Sequence, residues 1–300
     1  MNKQLKDLSI ILVGYTACIY SMILTNSFIA ESSPQMHIFY RLFLCHVEAT
    51  VVIYLFSALT KNSSWYDAFW SVIPVVLVIL CWMDADSGGN SSRALLMMAC
   101  LLFWSVRLTF NWMRSWDGFA HEDWRYVMMK AKARNKLHYF AIDFGLIHLI
   151  PTICVYLALL PMNYAYFFHS ADLSWIDWMA FIISISAVLI QSISDEQMYQ
   201  FRHSASLNKP QTMQKGLWFY SRHPNYFGEI IFWFSLFIFI TGAGLKIVWL
   251  IIGSIVMYAL IAIGSVAMMD KRSSERRSDY GQYLAATPAI FLNLLKRKNQ

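Results

Sequence analysis

Charge is what this chain lacks most. Asp, Glu, Lys and Arg make up only 14% of its 300 residues, where a soluble domain carries roughly 25%, so most of the length is not built to face water. Cysteine is scarce too. The five, Cys18, Cys45, Cys81, Cys100 and Cys154, lie in apolar segments, and none forms a Cys-x-x-Cys pair. That pattern predicts small buried hydrophobes and argues against a disulfide framework or a zinc site. Internal repeats, Gly/Ser linkers and low-complexity tracts are also missing. The first apolar run is too long for the core of a signal peptide and lacks a small-residue cleavage site.

Apolar residues are abundant, at 58% of the chain, and they fall into runs near the roughly 20 residues a bilayer-crossing helix needs. The runs cover about 8–29, 37–59, 68–82, 94–112, 139–160, 175–193, 226–241 and 245–269. The third and seventh are short, which gives seven or eight spans. The expected fold is all-α, a polytopic transmembrane helical bundle. Residues 1–64 form its N-terminal helices, and 65–300 form the main part with a cytoplasmic tail. With eight spans and an inside N-terminus, 21 of the 24 Lys and Arg fall on the inner side, and only Arg41, Arg93 and Lys246 lie outside. The positive-inside rule therefore puts both termini in the cytoplasm, in a bacterial inner membrane or the endoplasmic reticulum. The partner is the lipid bilayer. The net charge of +6 is spread among short loops, so no nucleic-acid surface is expected. The inner loops are 113–138 and 194–225, followed by a tail from Asp270. The longest outer loop, 161–174, has no Lys or Arg.

The polar specialists cluster at the inner ends. The densest cluster is GLWFYSRHPNYFGE at 216–229. Pro224 suits the first turn of a helix, whose free N–H groups and dipole make an anion site. Asn225 and Glu229 share a face, Arg222 adds positive charge, and His223 and Tyr226 line the loop. In QSISDEQMYQF, at 191–201, a continued helix places Gln191, Asp195 and Tyr199 on one face with Arg202 close behind. Asp67 enters the third span, and Arg107 sits near the inner end of the fourth. In EDWRY, at 122–126, Arg125 offers a planar fork for phosphate. The tail carries Arg276, Arg277, Tyr280 and Tyr283, which either bind lipid head groups or close over a dinucleotide.

These runs, with DAFWSVIP and ERRSDYGQYLAATP, resemble the steroid 5-alpha-reductase-like membrane family over roughly residues 67–291. The RHPNY core is shared with sterol reductases and with isoprenylcysteine and phospholipid methyltransferases. The resemblance implies a helical bundle with a cytosol-facing cofactor and a lipid-like substrate entering from the bilayer. It implies NADPH as cofactor, contacted by Asn225 and Glu229, with Asp195, Arg202, Arg276 and Tyr280 as further contacts. One departure stands out. Steroid reductases place a Gln-Glu pair late in an early helix, with a Tyr on the next, whereas this chain has Glu48 mid-span, preceded by His46 and Arg41.

Charges in a bilayer core cost about 2.5–3.5 kcal/mol or more and mark function. Glu48 and His148 lie near the middle of their spans, and Asp143 nearer an inner end. A protonated Glu48 is the expected acid that polarises an enone carbonyl, with His148 relaying the proton. The expected activity is NADPH-dependent reduction of a carbon–carbon double bond in a hydrophobic, lipid-like molecule. Two alternatives are an S-adenosylmethionine-dependent methyltransferase and a non-enzymatic lipid-binding protein.

Overall fold

The computed structural model describes residues 3–84, 92–167, 172–204, 211–242, 244 and 247–295. The described residues are almost wholly helical and contain no strand. The helices, in chain order, are α1 (Lys3–Ser32), α2 (Ile38–Thr60), α3 (Tyr66–Asp84), α4 (Ser92–Ser115), α5 (Trp124–Lys130), α6 (Lys136–Phe140), α7 (Ile150–Phe167), α8 (Trp175–His203), α9 (Pro224–Gly242), α10 (Ile251–Ala259), α11 (Ala267–Arg276) and α12 (Tyr280–Ala286). A π-helical stretch, Ala141–Leu149, joins α6 to α7, and another, Leu260–Val266, joins α10 to α11. Eight helices among the described residues are long and apolar enough to cross a membrane, so the count is eight rather than seven. The third, Ser63–Asp84, and the seventh, Pro224–Gly242, have 22 and 19 residues.

Several boundaries differ from those the apolar runs suggest. Residues 194–203 are not loop, because α8 continues unbroken to His203. The outer loop does not begin at Pro161, which sits inside α7; that helix runs on to Phe167. Asp270 does not open a tail but lies within α11. Loop 113–138 contains the short helix α5, capped by the Asp123 carboxylate on the Arg125 N–H at 2.8 Å. Leu245 and Lys246 fall outside the described residues.

Packing of α8 against α9 sets the frame. A Cβ on Gly228 would come within 2.6 Å of both the Ala187 carbonyl oxygen and Gln191 Cγ. Small residues of this kind let membrane helices approach backbone to backbone. Because one neighbour is a carbonyl, no side-chain rotation relieves the clash. Gly228→Ala is therefore expected to cost about 1–3 kcal/mol, read as a lower unfolding midpoint in detergent, and an unchanged midpoint would refute the close contact. Across the bundle, Trp104 of α4 stacks on Phe232 of α9, with ring centroids 5.2 Å apart, and meets Trp233 edge-on at 5.0 Å. All five cysteines are buried and unpaired.

Two ion pairs hold the bundle at the end where α1 and α3 finish and α4 begins. Arg41 of α2 meets Asp84 of α3. Arg93 of α4 grips both oxygens of Asp177 of α8, at 2.6 and 3.0 Å. Arg93 Nη2 also reaches the Gly242 carbonyl at the end of α9. The other end of the bundle carries both described chain ends. There Asp7 near the start of α1 accepts from the Phe119 N–H at 3.1 Å, and Asn293 donates to the Tyr220 carbonyl at 3.0 Å.

Candidate functional site

At that second end α4 and α8 finish, α9 begins and α11 passes over them, enclosing a cavity of about 620 Å³. Such volumes are typical of small-molecule sites. Eleven of the residues marked from the sequence line it: Arg125, Asp195, Tyr199, Arg202, Arg222, His223, Asn225, Tyr226, Arg277, Tyr280 and Tyr283. Segments far apart in sequence thus converge.

Asp195 organises the floor. Its carboxylate accepts from Arg107 Nη1 at 2.8 Å and Asn111 Nδ2 at 3.0 Å, both on α4, and from Asn225 Nδ2 at 3.2 Å on α9. Glu229, one turn along from Asn225, is buried beneath. Two indole N–H groups, Trp104 Nε1 at 3.0 Å and Trp233 Nε1 at 2.9 Å, donate to it, and Arg107 lies 3.7 Å away. Arg107 and Glu229 therefore support the floor from below rather than line the cavity. Gln191, on the same α8 face, packs against Gly228 instead of facing the site.

The sequence alone cannot separate free cations from paired ones, and the structure does. Arg222 is fully engaged. It grips Asp270 at 2.8 and 3.3 Å and donates to the carbonyls of Leu284 and Thr287. His223 Nε2 shares Asp270 at 2.9 Å, and the Tyr280 hydroxyl donates to the same carboxylate. Arg125 is held by Asp123 at 2.9 and 2.8 Å. Burial pushes the Asp123 carboxyl up, but the Arg125 charge and hydrogen bonds outweigh it and hold it below the usual carboxylate range. That contribution to folding is present above the ordinary carboxylate pKa and is lost only as pH falls through the depressed value. Arg202 and Arg277 line the cavity with no carboxylate partner among the described residues.

The start of α9 is less open than a bare helix N-terminus. The chain's own tail takes the Arg222 and His223 N–H groups, through the Pro288 and Ala289 carbonyls at 2.9 and 3.0 Å. The Asn225 side chain accepts from the Tyr226 N–H at 3.0 Å. The tail and α12 thus form a cover over the cavity, pinned by Tyr283, whose hydroxyl donates to the Trp218 and Ser221 carbonyls. Burial raises both the Tyr280 and Tyr283 phenols, so each stays an O–H donor.

Two residues escaped the sequence reading. Asn111 and Arg114 line the cavity, and their spacing from Arg107, i+4 and i+7, is the helical signal that could have found them. Arg114 pairs with Glu196 at 2.5 Å and lies 4.3 Å over the Tyr199 ring. Trp218 and Trp124 add aromatic walls. Glu122 is not among the cavity's lining residues. It accepts from Lys130 and from the Ser63 N–H, and Ser63 in turn donates to Asp143 at 2.6 Å.

Glu48 and His148 are not among the cavity's lining residues. Glu48 lies between α1 and α2, where Oε1 accepts from Ser21 and Oε2 is buried without a partner. His148 is fully buried in the π-helical stretch. Nδ1 faces the Asp143 carbonyl at 2.7 Å and Nε2 faces Ser57 Oγ at 3.1 Å. A neutral ring that donates from Nδ1 and accepts at Nε2 satisfies both contacts.

A family model described as a protein of unknown function, DUF1295, matches residues 53–287. The chain belongs to the DUF1295 family. An uncharacterized protein of Schizosaccharomyces pombe is 28% identical over 262 residues, spanning 77% of this chain and 73% of the relative. No solved structure matches the chain. The DUF1295 region begins inside α2 and ends just after α12. It therefore contains every residue of the cavity described above, and His148, but not Glu48.

Proposed function

We propose that this DUF1295 protein is a membrane-embedded, NADPH-dependent reductase of a carbon–carbon double bond in a lipid-like enone, in line with its resemblance to steroid 5-alpha-reductase-like proteins. One observation carries the reading. A nucleotide-sized cavity at the basic end of the bundle is walled by Trp124, Trp218 and Tyr226 and presents two guanidiniums, Arg202 and Arg277, without carboxylate partners among the described residues. Planar forks of this kind suit phosphate oxygens. S-adenosylmethionine has no phosphate and carries its own positive charge, so the same cavity favours it less.

The donor set fits a dinucleotide. Arg202 and Arg277 would hold phosphate, the Asp195–Asn225 pair would hold ribose hydroxyls, and the aromatic walls would shield the rings from water. NADPH bound there supplies a hydride to the double bond. The chain's own contribution is orientation and exclusion of water, since Trp104, Phe232 and Trp233 close the floor behind Glu229. Glu48 and His148 do not line this cavity, so neither is given the proton-donating role here.

Titration of purified protein tests the reading. Energy transfer from Trp124 and Trp218 to the reduced nicotinamide should report saturable NADPH binding. Arg202→Ala with Arg277→Ala should weaken it at least ~100-fold, since each charged hydrogen bond contributes about 1.5–3 kcal/mol. Folded protein that binds S-adenosylmethionine and not NADPH would replace this proposal with the methyltransferase. Binding of neither would favour a non-enzymatic role.

A further inference from the structure

Beside the main cavity lies a second hollow of about 310 Å³. Trp124, Arg202, Met269, Ser273 and Arg277 line both, so the two are contiguous. The hollow adds Arg272 and Arg276 and, among the described residues, no acidic one. Four guanidiniums therefore surround one small space.

That concentration is unlike the rest of the protein. Arg134 stands exposed in the loop after α5, and Arg41, Arg93, Arg107, Arg114, Arg125 and Arg222 each pair with a carboxylate. None of Arg202, Arg272, Arg276 and Arg277 does among the described residues. Arg272 and Arg276 are four apart on α11 and so share a face. The Arg272 guanidinium lies 3.9 Å over the Trp124 ring, which fixes its plane and leaves its edge N–H groups available. Like charges this close repel unless an anion sits among them.

We infer that this annex is a phosphate-monoester site and that Arg272 and Arg276 determine specificity for the third phosphate of a dinucleotide, the one on the adenosine ribose. The inference rests on the proposed reductase reading. Arg202 and Arg277, shared with the main cavity, face the phosphates that every such dinucleotide carries. Arg272 and Arg276 belong to the annex alone and reach a phosphate that only the triply phosphorylated form has.

An anionic lipid head group presents the same chemistry, so the experiment separates the sources. Wild-type protein and the Arg272→Ala, Arg276→Ala double variant are placed in nanodiscs of phosphatidylcholine, with or without phosphatidylglycerol. Each is titrated with NADPH and NADH, and with 2′,5′-ADP and 5′-AMP as competitors. Arg276 is exposed and Arg272 half-buried, and size exclusion confirms that the variant is folded. Wild type should prefer NADPH by at least ~100-fold, with 2′,5′-ADP competing far better than 5′-AMP. The variant should lose the preference while keeping its NADH affinity. Equal wild-type affinity for the two dinucleotides overturns the annex assignment but leaves the reductase reading standing, whereas binding of neither removes both. If the variant keeps the preference and loses only a dependence on phosphatidylglycerol, the annex is a lipid head-group site and the inference fails.

Discussion

Asp195→Ala is expected to abolish nucleotide binding and to lower stability together. Asp195, on α8, joins α4 and α9 across the cavity floor, through Arg107, Asn111 and Asn225. Removing it leaves the Arg107 guanidinium, with a side chain 10% exposed, facing only Glu229 at 3.7 Å. Breaking a buried pair from one side costs about 3–5 kcal/mol where the surviving charge is left uncompensated, and the loss here falls toward the lower figure because Glu229 still faces Arg107. The unfolding midpoint in detergent and the NADPH titration read the two effects. Adding Arg107→Met with Glu229→Gln removes the stranded charges. The triple variant should regain part of the midpoint and none of the binding, since Asn225 is still left without its partner. A single variant as stable and as competent as wild type would show that the floor does not depend on this carboxylate.

The eight spans were legible because lipid imposes a simple rule: about 20 apolar residues and every backbone group satisfied within the helix. Their ends were harder to read. The apolar signal of α8 stops near Ile193, yet the helix continues to His203. Its last turns are polar because protein, not lipid, surrounds them: Arg107 meets Asp195, Arg114 meets Glu196, and Gln197 accepts from the Leu217 N–H. Pro161 suggested a loop but sits within α7; membrane helices tolerate proline when neighbours satisfy the freed carbonyl.

The cavity itself was half legible. Helical spacing placed Asp195, Tyr199 and Arg202 together, and the density of polar residues marked 222–229. The pairing of the arginines was hidden, because it depends on partners far away in sequence. Arg222 finds Asp270 and Arg107 finds Asp195, while Arg202 and Arg277 find none among the described residues. Depth along a helix was readable for Glu48 and His148, but the direction each faces around the helix was not. Glu48 turns toward Ser21 of α1, and His148 toward Ser57 of α2.

At the opposite end of the bundle, Asp177→Ala should give the other large loss of stability. Arg93 and Asp177 have side chains 2% and 0% exposed, and the pair ties the start of α4 to the start of α8. Ser174 donates to Asp177 at 2.8 Å, and both Arg93 and Ser174 reach the Gly242 carbonyl. Truncating the acid strands a buried guanidinium, again at a cost of about 3–5 kcal/mol. Replacing both partners by apolar residues, Arg93→Met with Asp177→Leu, should recover most of the loss, as a charge pair exchanged for packed hydrophobes is often neutral. A single-variant midpoint within the ~0.5 kcal/mol expected of an ordinary surface change would show the pair to be ornamental. Asp177 and Asp195 lie on the same helix, and at 1.5 Å per residue they are about 27 Å apart, close to the roughly 30 Å hydrocarbon thickness of a bilayer. The same three helices, α4, α8 and α9, are thus clamped by a carboxylate near each membrane boundary. The two clamps should separate in function: losing Asp177 weakens the bundle while folded protein still binds nucleotide, and losing Asp195 removes binding even where stability is restored.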